Sequence, residues 1–259
     1  MCSCHDKGIY PINLTGAADI HKAHFISSYI RQSSGASLVV CRSEVLGRAI
    51  CRDINSFLGE GLAVFYPERD LCFDITQTSS REYEQERLSA LCRLKSGEAK
   101  LLVAPVSAVM QLAPSKSELE SSCFTLSEGD TFGIDEIAKR LVLGGYTRRA
   151  QIDGVGQFSI RGSIVDVFCP SSPSPLRIEF WGDEADSVAL FDLETQRRTK
   201  EIEEAFVAPA REVLPDSTEA LVKMLKDAHA KQRGKHGVLV KQNIEKDLER
   251  IDSGLGVSA

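Results

Sequence analysis

The sequence has no long hydrophobic segment. Its longest uncharged apolar stretch, residues 101–115, is interrupted by two prolines and a glutamine, and it is shorter than the ~20 residues that a membrane-spanning helix needs. The first eleven residues also lack the apolar core of a secretory signal. These two absences argue against a membrane protein, and we expect a cytoplasmic location.

Motifs for metal binding and catalysis are also scarce. The eight cysteines lack the paired Cys-x-x-Cys spacing of zinc modules. Most of them lie within apolar or helical segments, which predicts buried free thiols. Cys2, Cys4 and His5 cluster near the first residue and give only a weak indication of a metal site. Since no nucleophile elbow, zinc-protease pair or catalytic-cysteine signature occurs, we expect no catalytic residue and no bound metal.

An excess of basic residues is missing as well. The formal net charge is −6, and residues 130–209 carry nine basic against fourteen acidic side chains. Because attraction to phosphates dominates nucleic-acid affinity, this balance disfavours direct DNA binding. The remaining composition, 42% hydrophobic and 26% charged over 259 residues, is typical of a globular protein of roughly two domains.

The first part of the chain, residues 1–116, alternates short apolar runs with helical periodicity. Strands are predicted at residues 37–41, 62–66 and 100–106. A helix follows the first strand, with Ser43 as its N-cap and Gly59 at its end, and a charged amphipathic helix is predicted over residues 81–95. This alternation predicts an α/β domain built on a parallel sheet.

A second domain is predicted from about residue 117 to residue 209. The composition shifts to Pro, Ser, Lys and Glu near its start, and a helix over residues 134–142 is expected to be capped by Asp130 or Thr131. The apolar period then changes to two, which predicts strands at residues 157–161, 163–168, 176–181 and 188–192. Residues 210–259 return to charged, helical sequence, and we expect them to pack on the first domain.

A segment that resembles a phosphate-binding loop precedes the first helix. It contains Gly16, but Ala17 and Ala18 follow, and Asp19 stands where a lysine would contact the phosphates. A carboxylate at that place repels phosphate groups. We therefore expect a degenerate loop and no bound cofactor.

The polar face of the predicted sheet holds a possible binding surface. Period-two geometry places Arg161 on the polar face of its strand and places Arg177 and Trp181 together on the polar face of another. If these strands are neighbours, two arginines flank the only tryptophan. Arginine and tryptophan are enriched in binding hot spots, which suggests a protein-docking patch. In the alternative interpretation, Trp181 is a core residue and the arginines form ordinary surface ion pairs.

Several ordered segments of the second domain resemble a known module. They are residues 145–148, 156–168, 175–184, 191–192 and 195–197. Together they are similar to the UvrB-homology module that bacterial transcription-repair coupling factors (the Mfd family) share with the excision-repair protein UvrB. UvrB has a working phosphate loop and a tyrosine-rich hairpin, whereas Asp19 and Ile20 disrupt the loop here and residues 66–81 hold no tyrosine cluster. The chain therefore resembles the amino-terminal region of a coupling factor.

The resemblance implies both a fold and a function. It implies a degenerate RecA-like, P-loop-type α/β domain (1–116), an inserted sheet-rich α+β domain (117–209) that docks UvrA, and a return segment (210–259). The chain would be a non-catalytic scaffold that recruits UvrA to stalled RNA polymerase in nucleotide excision repair, through Arg161, Arg177 and Trp181. ATP and Mg would belong to the motor of the full-length parent, and RNA polymerase and DNA would contact its other domains. The alternatives are a UvrB-like DNA-binding module and a residual nucleotide-binding module.

Overall fold

The computed structural model describes residues 11–69, 81–212 and 218–252. The chain divides into two compact units, Met1–Leu112 and Ala113–Ala259. Both helices and sheets occur in the described residues, so the predicted mixed α/β class is confirmed. Among the helices of these residues, none combines the length and the apolar character that crossing a bilayer requires.

The first unit is a three-stranded parallel sheet with helices on both faces. Its strands lie in the order β1-β3-β2, so the last strand in sequence is the central one. The elements are α1 (Asp19–Gln32), β1 (Ser37–Cys41), α2 (Glu44–Leu58), β2 (Ala63–Phe65), α3 (Glu82–Ser96), β3 (Leu101–Pro105) and α4 (Val106–Val109).

Side chains of alternate strand positions form two separate apolar clusters in this unit. Phe65, Leu101 and Val103 face α1 and α2 on one side of the sheet, where they pack with Ile30 and Ile54. The other side of the sheet packs against α3 and α4. Strands β2 and β3 are covered on both faces and are apolar at every position, as parallel strands usually are. The edge strand β1 is largely apolar too, but its Leu38 and Val40 side chains are about half exposed.

Helix α2 begins and ends where the sequence predicts. The Ser43 side chain accepts a hydrogen bond from the Leu46 N–H, and Gly59 stands at the carboxyl end with φ 111°. Most side chains cannot adopt that backbone conformation without strain, whereas glycine can. Cys51 lies on the buried face of this helix, and burial raises the pKa of its thiol to about 11. The predicted buried free thiols are confirmed for Cys41, Cys51 and Cys169, and Cys2, Cys4 and His5 lie outside the described residues.

We expect Gly47→Ala to destabilise the chain by about 1–3 kcal/mol, the usual cost of overpacking a core. A Cβ atom at residue 47 would lie 2.6 Å from the Cys41 Sγ and 2.7 Å from the Phe65 ring. Gly35→Ala is the matched control, because a Cβ there meets no heavy atom within 4 Å. Urea unfolding followed by circular dichroism measures both. Equal stabilities for the two variants would contradict the prediction.

The second unit contains a six-stranded sheet and a two-stranded sheet. The larger sheet has the order β10-β9-β8-β7-β6-β5, and the smaller one pairs β11 with β4. The elements are α5 (Lys116–Ser122), β4 (Phe124–Ser127), α6 (Ile134–Leu143), β5 (Thr147–Arg148), β6 (Gln157–Arg161), β7 (Ile164–Phe168), β8 (Leu176–Trp181), β9 (Glu184–Phe191), β10 (Arg198–Glu201), β11 (Glu204–Val207), α7 (Thr218–Lys231) and α8 (Gly234–Asp252).

The two helices that precede the larger sheet begin in different ways. Helix α5 has a capping box, in which Ser115 and Glu118 each bond the other's backbone N–H. The predicted cap of helix α6 is wrong. Its N-cap is Gly133 rather than Asp130 or Thr131, because Thr131 forms a β-bridge with Glu184 and the Phe132 N–H donates to the Asp183 carbonyl, so the helix starts only after them. The Asp130 side chain accepts a hydrogen bond from the Ser127 N–H instead.

Four antiparallel strands, β6 to β9, form the centre of the larger sheet. One face of these strands is apolar and buried, with Phe158, Val165, Val167, Leu176 and Ile178 at most 3% exposed. In β6 and β8 the buried apolar residues alternate with polar ones, which is the period-two pattern of the sequence. Helices α7 and α8 pack against each other. The packing of residues 210–259 on the first domain stays a prediction.

Candidate docking site

The polar face of the larger sheet is built by alternate residues of three consecutive strands. In β6–β7 pairing Ser159 lies opposite Asp166, and in β7–β8 pairing Asp166 lies opposite Arg177. Residues two positions further along a strand project from the same face. Arg161 in β6 and Trp181 in β8 therefore share this face with Asp166 and Arg177. We call these four residues the Arg-Trp face.

Asp166 is the centre of the Arg-Trp face. Its side chain is 1% exposed, and both carboxylate oxygens accept hydrogen bonds from arginines. The Arg161 Nη2 lies 2.6 Å from Oδ2, while the Arg177 Nε lies 2.7 Å from Oδ1 and its Nη2 lies 3.0 Å from Oδ2. A buried carboxylate requires such pairing, because an unpaired buried charge is strongly unfavourable.

Arg177 is fixed by contacts with Asp166, with the Gln196 backbone and with the Phe191 ring. Its Nη1 donates to the backbone carbonyl of Gln196 at 2.9 Å, and its guanidinium carbon lies 4.3 Å from the centre of the Phe191 ring. The hydrogen bonds to Asp166 raise the pKa of Arg177. The side chain is therefore charged at every physiological pH, and it joins strand β8 to the turn that carries Gln196.

Trp181 has the opposite environment. It ends strand β8, lies opposite Glu184 in β9, and is 83% exposed. Gly182 follows with φ 64° and allows the tight reversal into β9. The interpretation in which Trp181 is a core residue is therefore wrong. This mostly exposed indole, which lies opposite an acidic residue, is a large apolar contact that nothing within the described residues covers.

A second ion pair lies on the same face. Arg198 in β10 forms a salt bridge with Glu179 in β8 and donates a hydrogen bond to the Ser187 hydroxyl at 3.0 Å. Glu179 stands between Arg177 and Trp181 on the polar face of β8. The negative charge of Glu179, two residues before Trp181, is thus partly neutralised by Arg198.

The structure brings together some of the predicted residues but not as the sequence suggested. Strands β6 and β8 are not neighbours, since β7 lies between them. The two arginines converge on Asp166 from either side rather than flanking Trp181. Asp166 was not among the predicted site residues. An acidic residue on the polar face of the intervening strand is the signal that identifies it.

This region is similar to part of known proteins. Residues 124–213 match the family model described as the UvrB interaction domain. A transcription-repair-coupling factor of Bacillus subtilis is 27% identical over 255 residues, which cover 96% of this chain and 22% of that protein. One from Staphylococcus aureus, strain bovine RF122, is 28% identical over 214 residues, which cover 83% of this chain and 18% of that protein.

The predicted resemblance to transcription-repair coupling factors is confirmed. The chain spans about a fifth of the length of these coupling factors. All four residues of the Arg-Trp face lie inside the segment that matches the UvrB interaction domain.

The segment before α1, which the sequence predicts to be a degenerate phosphate-binding loop, lies outside the matched residues. Gly16 has φ 73°, and Ala18 occupies the N-cap of α1 without a side-chain hydrogen bond. The Asp19 carboxylate forms an ion pair with Lys22 at 2.9 Å, and the hydrogen bond from Lys22 lowers the pKa of Asp19. An ionised carboxylate therefore stands in the first turn of the helix, where the backbone N–H groups would otherwise attract an anion.

Proposed function

We propose that this chain is a docking module that binds UvrA through the Arg-Trp face. The observation that carries the proposal is the exposed Trp181, which shares the polar face of the antiparallel strands with the partly exposed Arg161. Large aromatic side chains and arginines dominate the energetics of protein interfaces. The match of the surrounding residues to the UvrB interaction domain supports this choice.

The wider role follows from the relatives. We propose that the chain acts as a non-catalytic scaffold in transcription-coupled nucleotide excision repair, where it recruits UvrA to stalled RNA polymerase. Its relatives are named transcription-repair-coupling factors. In this proposal the other domains of the parent protein contact RNA polymerase and DNA, and ATP with Mg acts in the motor of that parent. The module works in the cytoplasm, without a metal or cofactor of its own.

We propose further that the first unit is a degenerate RecA-like domain. Its parallel strands with helices on both faces support this reading. The ion pair between Asp19 and Lys22 supports the loss of phosphate binding, since the lysine is held by a carboxylate. Residual nucleotide binding is therefore disfavoured, and the net negative charge disfavours UvrB-like binding to DNA.

The test of docking is a calorimetric titration of the full chain with UvrA from the same organism. Arg161→Ala, Arg177→Ala and Trp181→Ala are compared with Arg149→Ala, which removes an exposed arginine elsewhere in the same unit. Circular dichroism establishes that each variant is folded. We expect wild-type binding that the control preserves and the three variants weaken. No wild-type binding, or binding that all three variants retain, would overturn the proposal.

We expect no shift of the thermal unfolding temperature when ATP and Mg are added. A ligand that binds only the folded state stabilises it by RT ln(1 + [L]/Kd), about 2.7 kcal/mol at a hundredfold excess over Kd. Differential scanning fluorimetry with ATP at millimolar concentration checks this, and AMP at equal ionic strength is the control. A shift specific to ATP that disappears in Lys22→Ala would revive the nucleotide-binding alternative.

A further inference from the structure

The two arginines of the Arg-Trp face differ in what they offer to a partner. A guanidinium has five N–H donors on three nitrogens. In Arg177 each of the three nitrogens already donates within the chain, two to Asp166 and one to the Gln196 carbonyl, and the side chain is 11% exposed. A partner could reach little of this group without breaking those bonds.

Arg161, in contrast, is exposed and has hydrogen-bond donors that are not used within the described part of the chain. Its side chain is 42% exposed, and among the described residues its guanidinium donates a hydrogen bond to the single oxygen Oδ2 of Asp166. One nitrogen therefore fixes the orientation of the group, and its remaining donors are available to an acceptor on another protein. A carboxylate fits such donors best, because arginine and carboxylate can form two parallel hydrogen bonds.

The bonds of Arg177 also hold the backbone of a neighbouring turn. Gln196 is the one non-glycine residue of the described chain with a positive φ, 59°. Its N–H donates to the Asp192 carbonyl at 2.8 Å, and its own carbonyl accepts from Arg177. An unusual backbone conformation of this kind persists where its surroundings hold it in place.

We infer that Arg177 and Asp166 are positioning residues beneath the docking surface, and that Arg161 and Trp181 make the contacts, with Arg161 binding an acidic group of the partner. This inference rests on the proposed docking function. It changes the role that the resemblance implies for Arg177, from a contact residue to a support. Loss of Arg177 would weaken docking because Asp166 would no longer be held and Arg161 would lose its orientation.

A double-mutant cycle tests the coupling through Asp166. We expect Asp166→Asn to weaken UvrA binding about tenfold or more in the wild-type chain, and to have almost no effect in the Arg161→Ala background. The same pattern is expected for Arg177→Lys, which keeps the charge but loses the paired hydrogen bonds. A variant with a purely structural effect would instead weaken binding equally in both backgrounds. Additive losses would overturn the inference while leaving docking itself intact.

Footprinting of the wild-type chain avoids the risk that a buried substitution prevents folding. Phenylglyoxal modifies accessible guanidinium groups, and mass spectrometry locates each modified arginine. We expect Arg161 to react faster than Arg177 in the free chain, and UvrA to protect Arg161 while Arg177 stays slow throughout. Rapid modification of Arg177 that UvrA suppresses would overturn the inference. Failure of the unmodified chain to bind UvrA would show that the proposed function itself is wrong.

Discussion

Trp181→Ala is expected to weaken UvrA binding by ~2 kcal/mol or more, about a thirtyfold rise in Kd, while leaving stability unchanged. The indole is 83% exposed in the free chain. Its removal therefore costs the folded chain little, since substitutions at exposed positions usually change stability by less than about 0.5 kcal/mol. In the complex, the same side chain would become the central apolar contact. Calorimetry gives the affinity, and urea unfolding gives the stability.

Two further variants make this result specific. Trp181→Phe keeps an aromatic ring and should retain most of the affinity, because most of the apolar contact area remains. Phe206→Ala removes a partly exposed aromatic side chain from strand β11 of the same unit, and it should not change binding. If Phe206→Ala weakens binding as much as Trp181→Ala, the docking surface lies elsewhere on this unit.

Local patterns in the sequence predict most of the elements. In β6 and β8 the period of two separates Phe158 and Ile178, which are buried, from Arg161 and Trp181, which are exposed. The Ser43 cap and the Gly59 end define helix α2 within a residue. These features depend on the backbone within one element, so one stretch of sequence contains the information that specifies them.

Features that depend on two segments distant in sequence cannot be predicted from the pattern within one element. The order of strands places β7 between the two strands with the arginines, and no periodicity within β6 or β8 encodes that order. The role of Asp166 arises from this order, because its carboxylate lies within reach of both arginines only when β7 is central. Likewise, the start of α6 depends on a distant segment, because Thr131 and Phe132 pair with the backbone of Glu184 and Asp183 and the helix begins only after them.

Phe158→Ala is expected to destabilise the chain by about 3–5 kcal/mol, the usual cost of truncating a fully buried phenylalanine. Phe158 is 0% exposed and lies opposite Val167 on the apolar face of the sheet. The lost ring leaves a cavity that strands bonded on both sides cannot close. Ile160→Ala is the matched control in the same strand and on the same face, and it should cost less because Ile160 is only partly buried.

Comparing Phe158→Ala with Trp181→Ala distinguishes a residue that stabilises the sheet from a residue that contacts UvrA. Typical domains are stable by only 5–15 kcal/mol, so Phe158→Ala should lower the urea midpoint and reduce UvrA binding in proportion to the unfolded fraction. Binding should then recover on cooling toward the temperature of maximum stability, whereas the loss in Trp181→Ala should persist while that variant is folded. A folded Phe158→Ala chain that still binds poorly would show that the apolar face, and not only the Arg-Trp face, sets the geometry of docking.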